Sequence, residues 1–207
     1  MSLFITFEGG EGSGKSVQAR RLYRRLLLLA IPVHLTYEPG GTSLGKKLRH
    51  WLKSVDSPVI SPMSELLLFN ASRAQLVDEV IKPGLGKGEV VICDRFADST
   101  IAYQGYGRGL DLETVKLVNN AATVGLKPDL TVLLDLPVDD GLCRKGAVKT
   151  DRFEQETIAF HQKVRDGYLK LAASEPERWL VVDAAQSKEK IAQVIWQQVT
   201  RLIQSRN

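Results

Sequence analysis

Two short runs in the chain hold residue types suited to phosphate chemistry. The first, Gly9-Gly10-Glu11-Gly12-Ser13-Gly14-Lys15-Ser16, has the spacing G-x-x-x-x-G-K-S and sits between the apolar run Leu3 to Phe7 and a segment with helical periodicity. Glycines let a backbone close around a phosphate, while successive N–H groups and the helix start direct positive dipoles at it. Lys15 would add a full charge at the β and γ phosphates, and the Ser16 hydroxyl could hold Mg2+. A merely flexible turn requires neither residue at a helix start. The second run, Asp94-Arg95, ends the apolar stretch Val90 to Cys93. An aspartate at a strand tip beside a phosphate loop supports Mg2+, directly or through water. Many ATPases follow it with a glutamate that polarises water. A guanidinium there holds phosphate instead, which favours transfer between phosphorylated substrates over hydrolysis, with a structural salt bridge as the plainer reading. Neither Asn-Lys-x-Asp nor Asp-x-x-Gly occurs, which argues against a GTPase switch.

The elements that must position these runs alternate along the chain. Short, continuous apolar runs recur at Leu3 to Phe7, Val33 to Tyr37, Val90 to Cys93, Leu130 to Asp135 and Trp179 to Val182, the pattern of strands covered on both faces. Helical periodicity fills Lys15 to Ala30, Ser64 to Ile81, Leu112 to Val124, Phe153 to Ala173 and Lys188 to Ile203. Pro83 to Gly88 reads as a turn that ends one helix. The expected architecture is α/β, a five-stranded parallel sheet with helices on both faces, and its ligands should bind beyond the carboxyl ends of the strands.

The chain has 207 residues, 43% hydrophobic and 25% charged, enough for one α/β domain spanning 1–207 with its own core. Its 28 Lys and Arg oppose 24 Asp and Glu for a formal charge of +4, and no block of five like charges occurs, so a polynucleotide partner is not expected. The longest apolar run, Leu26 to Val33, is far shorter than the roughly 20 residues of a membrane span. Strand pattern from Leu3 leaves no room for a signal peptide. Cys93 and Cys143 form no C-x-x-C pair and are expected as reduced, buried side chains, and a cytoplasmic location follows.

The sequence also closely resembles the thymidylate kinase family over nearly its whole length. The resemblance is carried by Phe7-Glu8-Gly9, the phosphate loop, Glu38-Pro39-Gly40-Gly41-Thr42, Ser72-Arg73-Ala74-Gln75, Asp94-Arg95-Phe96, Ser99 with Ala102-Tyr103-Gln104-Gly105, Lys127-Pro128-Asp129 and Asp151-Arg152-Phe153-Glu154. It implies a P-loop NTPase fold with a short lid at about 144–152, transfer of the γ-phosphoryl of ATP to dTMP with Mg2+ to give dTDP in support of dTTP synthesis, and a homodimer. Gly9 to Ser16 and Arg152 would then bind ATP. Glu38, Phe69, Arg73, Arg95, Ser99, Thr100, Tyr103 and Gln104 would bind dTMP, with Arg73 near O4 of the base and Tyr103 against the deoxyribose. Phe69 and Arg73, four apart on one helix, share a face, so a base could stack on the ring while the guanidinium donates to its edge. Ser16 and Asp94 would hold the metal.

Lys15, Arg95, Glu11 and the lid cations Arg144, Lys145 and Lys149 are the expected catalytic set. The loop's variable positions carry Glu11 and no Arg or Lys, and in family members of that sort the lid supplies the missing cation. This chain departs from many bacterial members in having Tyr37, not Arg, before Glu38-Pro39, and in a lid containing Lys145 and Lys149, point charges rather than forks. Apolar residues around Leu66 to Leu68 are candidates for a subunit interface. Three rival readings compete: another small P-loop kinase with a different nucleotide or deoxynucleoside acceptor, a nucleotide-binding regulator without turnover, and a polynucleotide-binding ATPase.

Overall fold

Leu3, Ile5 and Phe7 project from one face of the first strand and Phe4 from the other, and every residue of that strand is buried. Strand β1 (Leu3–Glu8) therefore lies in the middle of the sheet. In the computed structural model, which describes residues 2–54, 58–146 and 151–206, it is followed by α1 (Lys15–Leu28), β2 (Val33–Tyr37), α2 (Ser43–Lys53), α3 (Pro62–Leu76), α4 (Lys82–Gly86) and β3 (Val90–Asp94). The second half adds α5 (Ala97–Thr100), α6 (Leu112–Thr123), β4 (Leu130–Asp135), α7 (Val138–Lys145), α8 (Ile158–Ser174), β5 (Trp179–Asp183) and α9 (Lys188–Gln204). All strand pairs are parallel, in the order β2-β3-β1-β4-β5.

The period-two side chains of β1, β3 and β4 build two faces. Ile5, Ile92 and Val132 pack with Leu22 and Leu26 of α1 and Ile191 and Ile195 of α9. On the opposite face Phe4, Val91 and Cys93 meet Leu76, Ile81 and Phe96, while Leu133 joins an aromatic group that includes Tyr103, Phe160 and Tyr168. The edge strands behave differently: β2 and β5 are only partly buried, so covering on both faces holds for the three central strands alone.

Three other expectations change. The helix expected to stop at Ile81 runs on through Pro83 into α4, because residues Val77–Ile81 form a π turn in which the Lys82 N–H reaches back five residues to the Val77 carbonyl. The wider turn accommodates a ring that an α-helical turn would bring against a carbonyl. The helix expected from Phe153 is broken in two: Asp151 caps a 3-10 turn at Arg152–Gln155, and Thr157 caps α8 by accepting the Phe160 N–H at 3.2 Å. Cys143 lies exposed on α7, whereas Cys93 is buried; both thiols are free.

Helix α7 fixes the conformation of the loop that follows β1. Gly12, at φ 68°, lies so close to α7 that a Cβ would stand 2.0 Å from the Gly141 carbonyl oxygen, and a Cβ on Gly141 would stand 2.3 Å from the Glu11 carbonyl oxygen. Backbone thus packs on backbone, and neither side can give way cheaply. Gly141→Ala is expected to cost about 1–3 kcal/mol of stability, read as a lower urea midpoint at unchanged slope, whereas Gly10→Ala, whose Cβ would meet nothing within 4 Å, should stay within about 0.5 kcal/mol of the parent. Equal midpoints for the two variants would refute the contact.

Candidate active site

The loop residues 9–14 join β1 to α1, and β1 and β3 are neighbours, so Lys15, Ser16 and Asp94 arrive at one sheet edge. The Lys15 ammonium is buried and donates to the Gly10 carbonyl at 2.6 Å and to the Ser13 hydroxyl at 3.2 Å. Burial, then the positive charge of Arg95, pulls its pKa down to about 7 against the attraction of Glu11 and Asp94. The Ser16 hydroxyl donates to the Asp94 carboxylate. Lys15, Ser16, Asp94, Arg95 and Lys145 border one open cavity, sized for phosphates.

Arg95 adopts φ 73°, a left-handed conformation that costs a non-glycine residue about 1–3 kcal/mol and persists only where its surroundings over-determine it. Those surroundings are explicit. One guanidinium nitrogen donates to Glu11 at 2.8 Å and to the Tyr103 hydroxyl at 3.0 Å; the other reaches the Gly9 carbonyl at 3.2 Å and the hydroxyls of Ser99 and Tyr168, each at 3.3 Å. Burial alone would raise the Glu11 carboxyl, but Arg95 and then Lys15 outweigh it and hold the group well below the usual carboxylate range.

A second, smaller cavity adjoins the first and is bordered by Phe69, Phe153, Tyr103, Arg73, Thr100 and Gln104. Arg73 is 1% exposed with every donor committed: Nε and Nη2 to Glu38 at 2.8 and 2.7 Å, Nη1 to Asn119 and Asn70 at 2.8 and 3.2 Å, and Nη2 to the Phe96 carbonyl at 3.1 Å. Its role in the fold is to hold the cavity wall. Glu38 Oε1 is buried without a hydrogen-bond partner among the described residues and borders the same cavity, which suits it to accept from a ligand hydroxyl. The Gln104 amide donates to Glu65 at 2.8 Å.

The residues expected to form a lid separate. Lys145 donates to Glu154 at 2.6 Å and stands 3.9 Å from Glu11, within the phosphate cavity. Arg144 turns away and donates to the Ala184 carbonyl beyond β5 at 3.0 Å. Arg152 pairs with Glu65 on α3, the same carboxylate that accepts from Gln104 of the smaller cavity. Lys149 lies outside the described residues. Tyr37 packs beneath Arg49, whose guanidinium carbon stands 5.6 Å from the ring centre.

Sequence reasoning passed over three residues that the fold brings here. Glu8 accepts from the Phe96 N–H at 2.7 Å, Ser99 at 2.6 Å and Tyr168 at 2.8 Å, so it anchors the segment that carries Arg95. Tyr168 comes from α8, more than seventy residues beyond Arg95, and nothing local to it in sequence signals the contact. Lys53, at the end of α2, borders both cavities and pairs with Asp151. The Thr42 side chain that accepts the Gly45 N–H, with buried Leu48 and Leu52 one turn apart, is the signal that could have revealed α2.

A phosphate loop, a strand-tip aspartate followed by a clamped arginine, and an aromatic cavity sharing a wall with the phosphate cavity define a P-loop nucleotide kinase. The family model for thymidylate kinase matches residues 7–195. A thymidylate kinase of Dehalococcoides mccartyi (strain CBDB1) is 55% identical over 207 residues, 100% of each chain, and one of Geobacter sp. (strain M21) is 48% identical over 212 aligned positions, 99% of this chain and 94% of that one. The crystal structure of thymidylate kinase from Ehrlichia chaffeensis superposes with a TM-score of 0.79 at 34% identity, covering 96% of this chain and 98% of that one. The fold is that of the P-loop NTPases. The chain belongs to the thymidylate kinase family and is an enzyme.

The anchor at Glu8 has a pH signature. Burial, and secondarily the charge of Asp98, raises its pKa to about 7, against the hydrogen bonds of Ser99 and Tyr168 and the charge of Arg95. The folded state therefore holds a proton that the unfolded chain has released, and stability from this group, full below about pH 4.5, is lost as pH rises to about 7. Glu8→Gln keeps an acceptor for Phe96 and lacks the titration. Urea unfolding at pH 5, 6, 7 and 8 should show the stability of the parent minus that of the variant falling from pH 5 through 7 and levelling by pH 8; a constant difference would contradict the raised pKa.

Proposed function

We infer that the enzyme transfers the γ-phosphoryl of ATP to dTMP, giving ADP and dTDP, with the smaller, aromatic cavity taking the thymine and the loop cavity taking the phosphates. The observation that carries this division is the wall common to both cavities, formed by Glu11, Glu38, Lys53 and Arg95. Two nucleotides entering from either side would meet phosphate to phosphate at that wall, and in-line transfer needs little beyond such positioning and charge neutralisation. Phe69 and Phe153 flank the base. The Nη1 bond from Arg73 to Asn70, the longest of its set at 3.2 Å, is the one that a base carbonyl O4 would share. Glu38 Oε1 accepts from the sugar, and Tyr103 packs against it.

Lys15 and the loop N–H groups hold the donor phosphates. Arg95 lies between donor and acceptor, where a fork binds phosphate oxygens without activating water. Lys145 supplies the lid charge, standing nearest to Glu11 of the lid cations described. Ser16 and Asp94 are hard oxygen donors in mutual contact and suit Mg2+, with Asp94 acting directly or through water. Among the described residues no group of three or more His, Cys, Asp or Glu gathers to hold a metal alone, so water and phosphate oxygens would complete the shell. When bound, Mg2+ neutralises charge on the transferring group.

Location and assembly complete the proposal. Among the described residues no helix is long and apolar enough to cross a membrane, and the two free cysteines fit a reducing cytoplasm. Leu66 is buried in the core, but Met63, Leu67, Ala71 and Ala74 are exposed along one stripe of α3, a surface suited to a second copy of the chain. Leu67→Glu should shift sedimentation from dimer to monomer while circular dichroism is unchanged.

A coupled ADP assay across dTMP, dUMP, dCMP, AMP, GMP and thymidine tests the reaction. The expected kcat/KM is greatest for dTMP, lower for dUMP by about 10- to 200-fold, the usual limit for one methyl group, and lower again for dCMP, whose amine would face the Arg73 donors. Preference for AMP or dCMP would overturn the assignment of the base. Lys15→Ala and Arg95→Ala, verified as folded, should each lower kcat by about 100-fold or more.

A further inference from the structure

The shared wall of the two cavities contains two acids, Glu11 and Glu38, and two cations, Arg95 and Lys53. An acceptor phosphate seated there is a dianion facing two carboxylates, and it needs cationic donors to offset them. Glu38 is paired with Arg73 and Glu11 with Arg95. The terminal nitrogens of Arg95 already serve five groups. Lys53 differs in position and in chemistry. Among the described residues it is the one side chain that borders the aromatic cavity, the phosphate cavity and the more open polar cleft beside them. Its ammonium has three donors, and its partner in the structure is Asp151. Asp151 also caps the turn that carries Phe153, a wall of the base cavity, by accepting the Phe153 N–H at 3.0 Å. The pairing therefore orders Lys53 at the cavity junction; its side chain is 23% exposed. The charge reaches the site, since Lys53 is among the groups that hold Glu11 ionised.

We propose that Lys53 binds the phosphate of the acceptor nucleotide, donating to it from the end of α2 while Asp151 holds the ammonium in place. The proposal rests on the assignment of the aromatic cavity to the base. It makes Lys53 a residue that distinguishes a nucleoside monophosphate from its nucleoside, because the charge it offers has no partner on a free sugar hydroxyl.

Equilibrium titration of dTMP and of thymidine into the full chain, as parent, Lys53→Met, Lys53→Arg and Phe69→Ala, separates the two readings. Methionine keeps the apolar stem of lysine and removes the charge. Lys53→Met is expected to weaken dTMP by about tenfold, the loss typical of one charged hydrogen bond, with thymidine within about twofold of the parent. Lys53→Arg should recover most of the dTMP affinity, and raised salt should narrow the difference between parent and Lys53→Met. Equal weakening of dTMP and thymidine in Lys53→Met would show lost packing and overturn the proposal, as would dTMP affinity within twofold of the parent. Phe69→Ala should weaken both ligands together; if it weakens neither, the base assignment is what fails.

Discussion

The clamp on Arg95 is the interaction on which the rest of the site depends. Its guanidinium ties the phosphate loop, through Gly9 and Glu11, to the segment after β3, through Ser99 and Tyr103, and to α8, through Tyr168. A buried ion pair is weak as a source of stability, since desolvating both charges offsets much of their attraction. Here the pair fixes geometry. A residue in a left-handed conformation with its terminal nitrogens committed has few alternative positions, so the charge is in place before any substrate arrives.

Glu8 extends that clamp inward. It gathers the Phe96 N–H and the hydroxyls of Ser99 and Tyr168, and both hydroxyls also accept from Arg95. Two acids near one guanidinium thus have different environments: Glu8, buried behind hydroxyls, is pushed toward neutrality, while Glu11, beside Arg95 and Lys15, is held ionised. Charge at the phosphate cavity is thereby set by burial and partners rather than by residue type alone.

The backbone contact between Gly12 and Gly141 gives the loop a rigid floor on α7. The two ends of α7 serve different neighbours: Gly141 supports the loop, and Lys145 at the far end reaches toward Glu11. The wall of the aromatic cavity is tied to the same segment, with Arg73 binding α3 to Glu38, Asn119 of α6 and the carbonyl of Phe96, whose N–H Glu8 accepts.

The strands, their parallel pairing, the phosphate loop and the Asp94-Arg95 pair were all legible in the chain, because each rests on local chemistry: apolar runs alternating with helical periodicity, glycine beside a helix start, a charged tip on a strand. Helix α2 was legible only in its Thr42 cap and its Leu48 and Leu52 spacing, and the split before α8 only in the caps at Asp151 and Thr157. Nothing local could show that Tyr168 and Glu8 hold Arg95, that Arg144 turns toward Ala184 while Lys145 faces Glu11, or that Lys53 stands at the junction of two cavities. Sequence by itself determined which residues could bind phosphate, since that depends on donor type and immediate backbone. Tertiary structure decided which of them share a cavity, because long charged side chains choose among partners by burial and Coulomb attraction across elements far apart in the chain.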